Sequence, residues 1–195
     1  MSKNRIEALT DGIFAVAMTL LVIELKLPDA QVPADLAYGV AHLIPKFVAW
    51  IISFFVLGIF WVSHHRLFHY VKHVDEPLVW LSILYLSLVS LMPFSSALTG
   101  QFALVLFSQI FYSANMILLA AVALAINRHV SRHPALQGEP MSAGFYRAAR
   151  FRMVGLILIA VATMGIARLV PGAGNVAFML MMPISIISRR MDRRA

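Results

Sequence analysis

Residues 5–28 read RIEALTDGIFAVAMTLLVIELKLP, an apolar run that carries a carboxylate, Asp11, shortly after its charged start. The run is long enough to cross a bilayer, which takes about 20 predominantly apolar residues. An ionisable side chain near the membrane interior is costly unless it faces protein or water, so it marks a functional site. We therefore expect the helix formed by this segment to carry the function of the chain.

The composition is that of a membrane protein. Of the 195 residues, 61% are hydrophobic and 13% are charged, and the mean hydropathy is +0.82. This leaves too little polar surface for a soluble fold. The sequence predicts an all-α membrane protein, a single six-helix transmembrane domain over residues 1–195 without a soluble domain. The predicted spanning helices are 5–25, 44–65, 78–98, 102–126, 148–168 and 173–188.

The distribution of Lys and Arg predicts the orientation, because loops rich in these residues stay in the cytoplasm. With the N-terminus inside, thirteen of the 16 Lys and Arg residues fall on the inner side and three on the outer side. We expect a multi-pass protein of the cell (plasma) membrane with both termini cytoplasmic. The same distribution explains the net charge of +7. Cations spread over several loops beside apolar helices argue against nucleic-acid binding.

The faces of the first helix follow from the turn of about 100° per residue. With Val16 at zero, Leu20 and Ile23 lie within about 40° of it, Thr19 lies on the flank, and Asp11 lies on the opposite side. The aliphatic stripe is typical of a helix face that contacts lipid or a protein core. It is also what a pore wall needs if rings of aliphatic side chains gate the path by dewetting. Periodicity alone leaves both interpretations open.

Asp11 has candidate partners in the second helix. That helix runs antiparallel to the first and places His64 and Arg66 at about the depth of Asp11. We expect the carboxylate to pair with one of them and hold the two helices together, since stranding a buried charge costs about 3–5 kcal/mol. A proton relay between Asp11 and His64 is the alternative.

Three motifs in the sequence are similar to those of a known family. RIEALTD at 5–11 resembles the Arg-x-x-x-Phe-Ser-Asp motif that opens the first helix in the transmembrane protein 175 family of potassium channels, with Leu9 and Thr10 in place of Phe and Ser. WVSHHRLF at 61–68 resembles the family's Trp/His/Arg ending of helix two, and LMPF at 91–94 resembles its Pro-Phe near the end of helix three.

The resemblance implies a homotetramer in which the first helix of each subunit lines a central pore. It places the aliphatic rings of the constriction at Val16, Leu20 and Ile23, and a selectivity-related threonine at Thr19. It implies a potassium-permeable cation channel with weak to moderate selectivity over sodium. The chain has no Thr-Val-Gly-Tyr-Gly loop, so a carbonyl-type filter is not expected. By the same resemblance, the structural network of the motif consists of Arg5, Thr10, Asp11 and His64.

Glu24 lies near the outer mouth of the predicted pore. A ring of such carboxylates would concentrate cations there. Pairing of Glu24 with Lys26 or Lys46 is the alternative, and the sequence leaves the two open.

No cofactor is expected apart from the permeant potassium ion, and the partners expected are the bilayer and further copies of the chain. Three histidines that recur every four residues suggest zinc, but they lie at the membrane boundary, where solvated histidine is common; they are His65, His69 and His73. We expect no metal site and no enzymatic activity, because no segment carries a His/Glu metal pair or a Ser/Lys pair deep inside it. A secondary transporter of a small cation or proton-coupled solute is the alternative function, although such transporters usually show internal repeats that this chain lacks.

Overall fold

A computed structural model describes residues 2–23, 25–26, 40, 43–170 and 174–193, with the backbone alone at 174–175 and 189–193. This part of the chain confirms the all-α fold class. Its α-helices are α1 (Lys3–Ile23), α2 (Ile44–Tyr70), α3 (Glu76–Ser90), α4 (Met92–Gln101), α5 (Leu106–Arg132), α6 (Ala143–Leu169) and α7 (Met181–Arg193).

Five helical spans are long and apolar enough to cross a membrane: α1, α2, α3 with α4, α5 and α6. The sixth predicted segment contains a shorter apolar helix, Val176–Ser188. Several helices extend beyond the predicted apolar stretches; α2 continues to Tyr70 and α6 begins at Ala143. Helical backbone hydrogen bonds do not require apolar side chains, so the helices run on into the polar boundary.

The third span is broken where Leu91 caps both α3 and α4. Pro93 follows at the start of α4; it has no backbone N–H, and its ring conflicts with the carbonyl four residues earlier. Asn115 of α5 compensates near the break, because its amide donates to the Leu88 carbonyl at 3.4 Å and to the Ser95 hydroxyl at 3.1 Å. A neighbouring helix thus donates hydrogen bonds on both sides of the break.

Buried hydroxyl groups join α2, α4 and α5. The Ser53 hydroxyl donates to Ser96 at 2.9 Å and lies 3.0 Å from the Tyr112 hydroxyl. All three side chains are buried. Hydrogen bonds of this kind between membrane helices contribute about 0.6 kcal/mol each on average. They specify how the three helices are rotated against one another.

The N-terminal end of α3 and the C-terminal end of α5 are joined through Asp75. Its Oδ1 accepts from the Leu78 amide at 3.0 Å and so caps α3, while its Oδ2 lies 2.8 Å from Nε2 of His129. Burial alone would raise the pKa of Asp75, but the hydrogen bonds from His129 and Leu78 outweigh it and hold the pKa below its usual 3.8. The connection after α5 lies against the same end, where Val71 and Gln137 form an isolated antiparallel bridge.

Arg152 lies inside the bundle, although the orientation argument counts it among the inner-side cations. It is 3% exposed, and its Nη1 donates to the Ser188 hydroxyl of α7 at 3.0 Å. Close packing of Gly155 against Ile184 brings α6 and α7 near enough for this contact. Arg152 therefore helps to hold α7 in place.

Gly100 allows α4 to pack closely on α2. A Cβ atom at this position would lie 3.0 Å from the Lys46 Cα and 3.4 Å from the Ala49 Cβ. We expect Gly100→Ala to lower the unfolding free energy by about 1–3 kcal/mol, because the backbone of α2 cannot move aside as a flexible side chain would. Thermal unfolding in detergent measures the loss.

Gly58→Ala is the matched control for Gly100→Ala, since a Cβ there meets nothing within 4 Å. Equal thermal stability of the two variants would contradict the close packing of α4 on α2.

Candidate functional site

α1 presents most of its surface away from the rest of the chain. In its most apolar window 28% of residues are buried, the smallest share among the five spans of the described chain, whereas α5 reaches 56%. One narrow stripe of α1 packs against α2, α3 and α4. The buried residues of this stripe are Ile6, Thr10, Phe14, Ala17 and Leu21. The remaining arc of α1 is available for contacts outside this chain.

The predicted aliphatic residues lie together on that outward arc. Val16 is 56% exposed, Leu20 41% and Ile23 55%. Their shared face is thus free of other parts of the described chain. It has the position needed for either of the two uses predicted for it, contact with lipid or the wall of a pore.

Thr19 is exposed beside these aliphatic side chains. Its hydroxyl lies 3.0 Å from the Ala15 carbonyl and 2.8 Å from the Val16 carbonyl, and donates to the backbone of its own helix. Threonine commonly satisfies its hydroxyl proton in this way. Because the proton is used inside the helix, Thr19 presents a methyl group and oxygen lone pairs outward.

The Asp11 carboxylate contacts a residue that the sequence argument did not assign to it. Its Oδ1 accepts a hydrogen bond from the Trp61 indole Nε1 at 2.8 Å. The indole also stacks on His65, with ring centroids 5.8 Å apart. Asp11 itself is exposed. The Asp11 carboxylate, its indole donor and the His65 imidazole therefore lie on the exposed side of the contact between α1 and α2.

His64 lies on another face of α2 and points into the bundle. Its ring stacks on Phe68 at 4.3 Å and on Tyr85 at 5.2 Å between centroids, and it is 6% exposed. Nε2 has no hydrogen-bond partner among the residues that the structure describes. The hydrogen bond from α2 to Asp11 thus comes from Trp61, three residues before His64. A helix turns about 300° over three residues, so these two side chains point in directions about 60° apart.

The other residues of the predicted motif network make no hydrogen bond or ion pair with the Asp11 carboxylate in the described part of the chain. Thr10 is buried on the inward stripe of α1, and its hydroxyl has no partner in the described part of the chain. Arg5 is exposed at the start of α1. Arg66 lies over the Phe145 ring, with its guanidinium carbon 5.6 Å from the ring centroid. Glu24 lies outside the described residues.

The histidines predicted to be solvated do not converge on a metal-binding arrangement. Across residues 2–23, 25–26, 40, 43–170 and 174–193 no three His, Asp or Glu side chains form a cluster that could hold a metal ion. His65 stacks on Trp61, whereas His69 and His73 are exposed further along.

Comparison with known proteins identifies the family. The family model described as endosomal/lysosomal potassium channel TMEM175 matches residues 5–93. A protein of Streptomyces collinus named as a potassium channel is 34% identical over 154 residues, which cover 77% of this chain and 75% of the relative. The chain belongs to the TMEM175 family. The matched residues cover α1 from Arg5 onward and the whole of α2 and α3, and they include the first two motifs and all but the last residue of the third.

Further TMEM175 relatives agree in sequence and in fold. A Chryseobacterium protein named as a potassium channel is 39% identical over 100 residues, half of each chain. The crystal structure of a lysosomal potassium-selective channel TMEM175 homologue from Chamaesiphon minutus has a TM-score of 0.79 at 26% identity and covers 95% of this chain and 97% of its own. Family and apolar helices together make this chain a multi-pass membrane protein. The family consists of channels rather than enzymes, as expected.

Trp61 is the residue of this site that sequence reasoning did not connect with Asp11. Its position in the WVSHHRLF stretch, one turn from the depth assigned to Asp11, was the available signal. Which of Trp61, His64 and Arg66 reaches the carboxylate depends on the rotation of α2, which the sequence does not state.

Proposed function

We propose that four copies of this chain assemble around α1 into a potassium-permeable cation channel. Val16, Leu20 and Ile23 form stacked aliphatic rings that constrict the pore, and Thr19 lies beside them as a selectivity residue. The permeant ion is potassium, with weak to moderate preference over sodium. Membership of a family whose relatives are named as potassium channels supports this proposal.

The observation that carries the proposal is the mixed character of the outward arc of α1. Asp11, Arg5 and Thr19 share it with Val16 and Leu20, and all five are exposed in the single chain. A carboxylate facing lipid is strongly disfavoured, so the arc requires protein or water around it. An assembly around a water-filled axis supplies both.

The physical basis of selectivity differs from that of a carbonyl-lined filter, because no backbone carbonyl loop replaces the hydration shell here. An ion must pass rings of aliphatic side chains. Potassium gives up its hydration more readily than sodium, so it passes the constriction more easily. The preference that results is weak to moderate, since the aliphatic rings themselves do not coordinate the ion.

The proposed orientation places both termini in the cytoplasm and the channel in the plasma membrane. It rests on the excess of Lys and Arg at the inner ends of the helices. Glu24 then lies at the outer mouth, either as a cation-concentrating ring or paired with Lys26 or Lys46.

Ion flux from liposomes tests the proposal. Purified protein reconstituted into liposomes should release potassium down its gradient faster than sodium down an equal gradient. Single-channel current steps in a planar bilayer should accompany the flux, which separates a channel from a secondary transporter with slow turnover. Absence of flux for both ions from monodisperse, correctly assembled protein would reject the channel.

A further inference from the structure

An open cleft of 540 Å³ lies between α5 and α6, away from the proposed pore. Arg128 and Arg132 line it from α5, and Tyr146 and Arg150 line it from α6. Each pair is four residues apart, a spacing that puts two side chains on one face of a helix. The last turn of α5 and the first turns of α6 therefore direct these side chains into one cleft, at the proposed cytoplasmic boundary.

Among the described residues that line this cleft, the charged ones are all positive. Three guanidinium groups line it together with a tyrosine, and its lining contains no acidic side chain. Within the described residues, Arg128, Arg132 and Arg150 make no hydrogen bond or ion pair. A guanidinium carries five donors in a planar fork that fits the oxygens of a phosphate. The cleft is thus equipped for an anion that bears phosphate oxygens.

The arginines stand above an apolar track that runs toward the membrane interior. Ala121 and Ala125 form part of the cleft floor on α5, about two turns and one turn before Arg128, respectively. On the same face of α5 Leu118 is 53% exposed, and on α6 Leu158, two turns beyond Arg150, is 64% exposed. Small side chains in the cleft and exposed aliphatic ones beyond it provide apolar surface suited to contact with a hydrocarbon chain.

We propose that this cleft binds an anionic phospholipid of the cytoplasmic leaflet. The headgroup phosphate lies among Arg128, Arg132 and Arg150, and an acyl chain follows the apolar track past Ala121. Basic pockets between membrane helices on the cytoplasmic side are suited to anionic headgroups. A free phosphate would contact only the arginines, and its binding would not explain the apolar track beside them. The inference rests on the membrane orientation proposed above and is independent of ion permeation.

Native mass spectrometry of the purified full chain with added phospholipid tests this inference. The probes are palmitoyl-oleoyl phosphatidylglycerol and phosphatidylcholine, which share acyl chains and differ in net charge. We expect phosphatidylglycerol to bind about tenfold or more tightly, because each arginine near an anionic lipid contributes about a fivefold factor. The variant Arg128→Gln/Arg132→Gln/Arg150→Gln should lose this preference.

A second variant blocks the track without changing charge. Ala121 is exposed, so Ala121→Phe is expected to fold, and its ring fills the space given to the acyl chain. It should reduce phosphatidylglycerol binding as well. Undiminished phosphatidylglycerol binding in this variant, or a retained lipid preference in the triple arginine variant, would overturn the proposal.

Two controls separate the site from general electrostatics and from free anions. Lys72→Gln/Arg147→Gln/Arg168→Gln removes three exposed cations outside the cleft and should keep the preference. Loss of the preference in this control would assign it to net charge and overturn the site. Inorganic phosphate should fail to displace bound phosphatidylglycerol, whereas full displacement would assign the cleft to a soluble anion. These measurements do not depend on ion flux, so they test the lipid site independently of the proposed channel.

Discussion

Replacing Leu20 with asparagine is expected to raise potassium conductance about tenfold and to lower the preference for potassium over sodium. In the proposed tetramer this change replaces a whole ring of aliphatic side chains by amides. Wetting an apolar surface costs about 25 cal/mol per Å², so removing this surface lowers the barrier that keeps the constriction dry. Single-channel recording with potassium and sodium on opposite sides measures both quantities. Ile23→Asn and the smaller change Ile23→Ala should act in the same direction.

The control for Leu20→Asn is Val22→Asn on the same helix. Val22 is 49% exposed, close to the 41% of Leu20, but it lies about 120° away from the Val16 face. It should leave conductance and selectivity near those of the original protein. Unchanged currents in the Leu20 and Ile23 variants, from protein that assembles normally, would place the constriction elsewhere.

Breaking the contact between Asp11 and Trp61 is expected to destabilise the protein more than it changes permeation. Trp61→Phe removes the indole donor that binds the carboxylate at 2.8 Å, and Asp11→Ala removes the acceptor. Each should cost about 1.5–3 kcal/mol, the range for a hydrogen bond to a charged group. Asp11→Asn keeps an acceptor oxygen and should cost less than Asp11→Ala, while still impairing folding or assembly more than ion preference. Thermal unfolding and the oligomeric fraction on size exclusion measure these losses.

The double variant distinguishes a direct contact from two separate effects. If the two groups act through their hydrogen bond, Asp11→Ala/Trp61→Phe should cost little more than either single change, because the shared interaction is lost once. His64→Phe is the comparison variant for the loss of stability, because His64 stacks inside the bundle and its Nε2 makes no hydrogen bond within the described residues. Additive losses would contradict a stabilising contact between the two groups. A stable assembly with altered ion preference in Asp11→Asn would place the carboxylate in the ion path.

The location of the spans and the grouping of the aliphatic residues on one face of α1 could be predicted from the sequence. Spans follow from local composition, because bilayer thickness sets the length of apolar chain that crosses it. The face shared by Val16, Leu20 and Ile23 follows from the turn per residue of a helix, which does not depend on neighbours. The family followed from three motifs at fixed positions. Helix ends were less accurate, since polar residues continue α2 to Tyr70 and α5 to Arg132.

Contacts between helices could not be predicted in the same way. Trp61, His64 and Arg66 all lie near Asp11 in depth, and the rotation of α2 brings the indole to the carboxylate and His64 to Tyr85. Arg152 looks like one more inner-side cation until α7 is placed against it. In each case the outcome depends on angles of a few tens of degrees between packed helices.

The amino-acid sequence by itself determined that this is a membrane protein, and it also determined the spanning segments, the family and which residues share one face of α1. These properties depend on composition and on the fixed geometry of a single helix. The tertiary structure decided the partner of Asp11, the burial of Arg152 and the cleft that gathers Arg128, Arg132 and Arg150. Those properties depend on how separate helices rotate and approach one another, because side-chain packing across the whole bundle sets their positions.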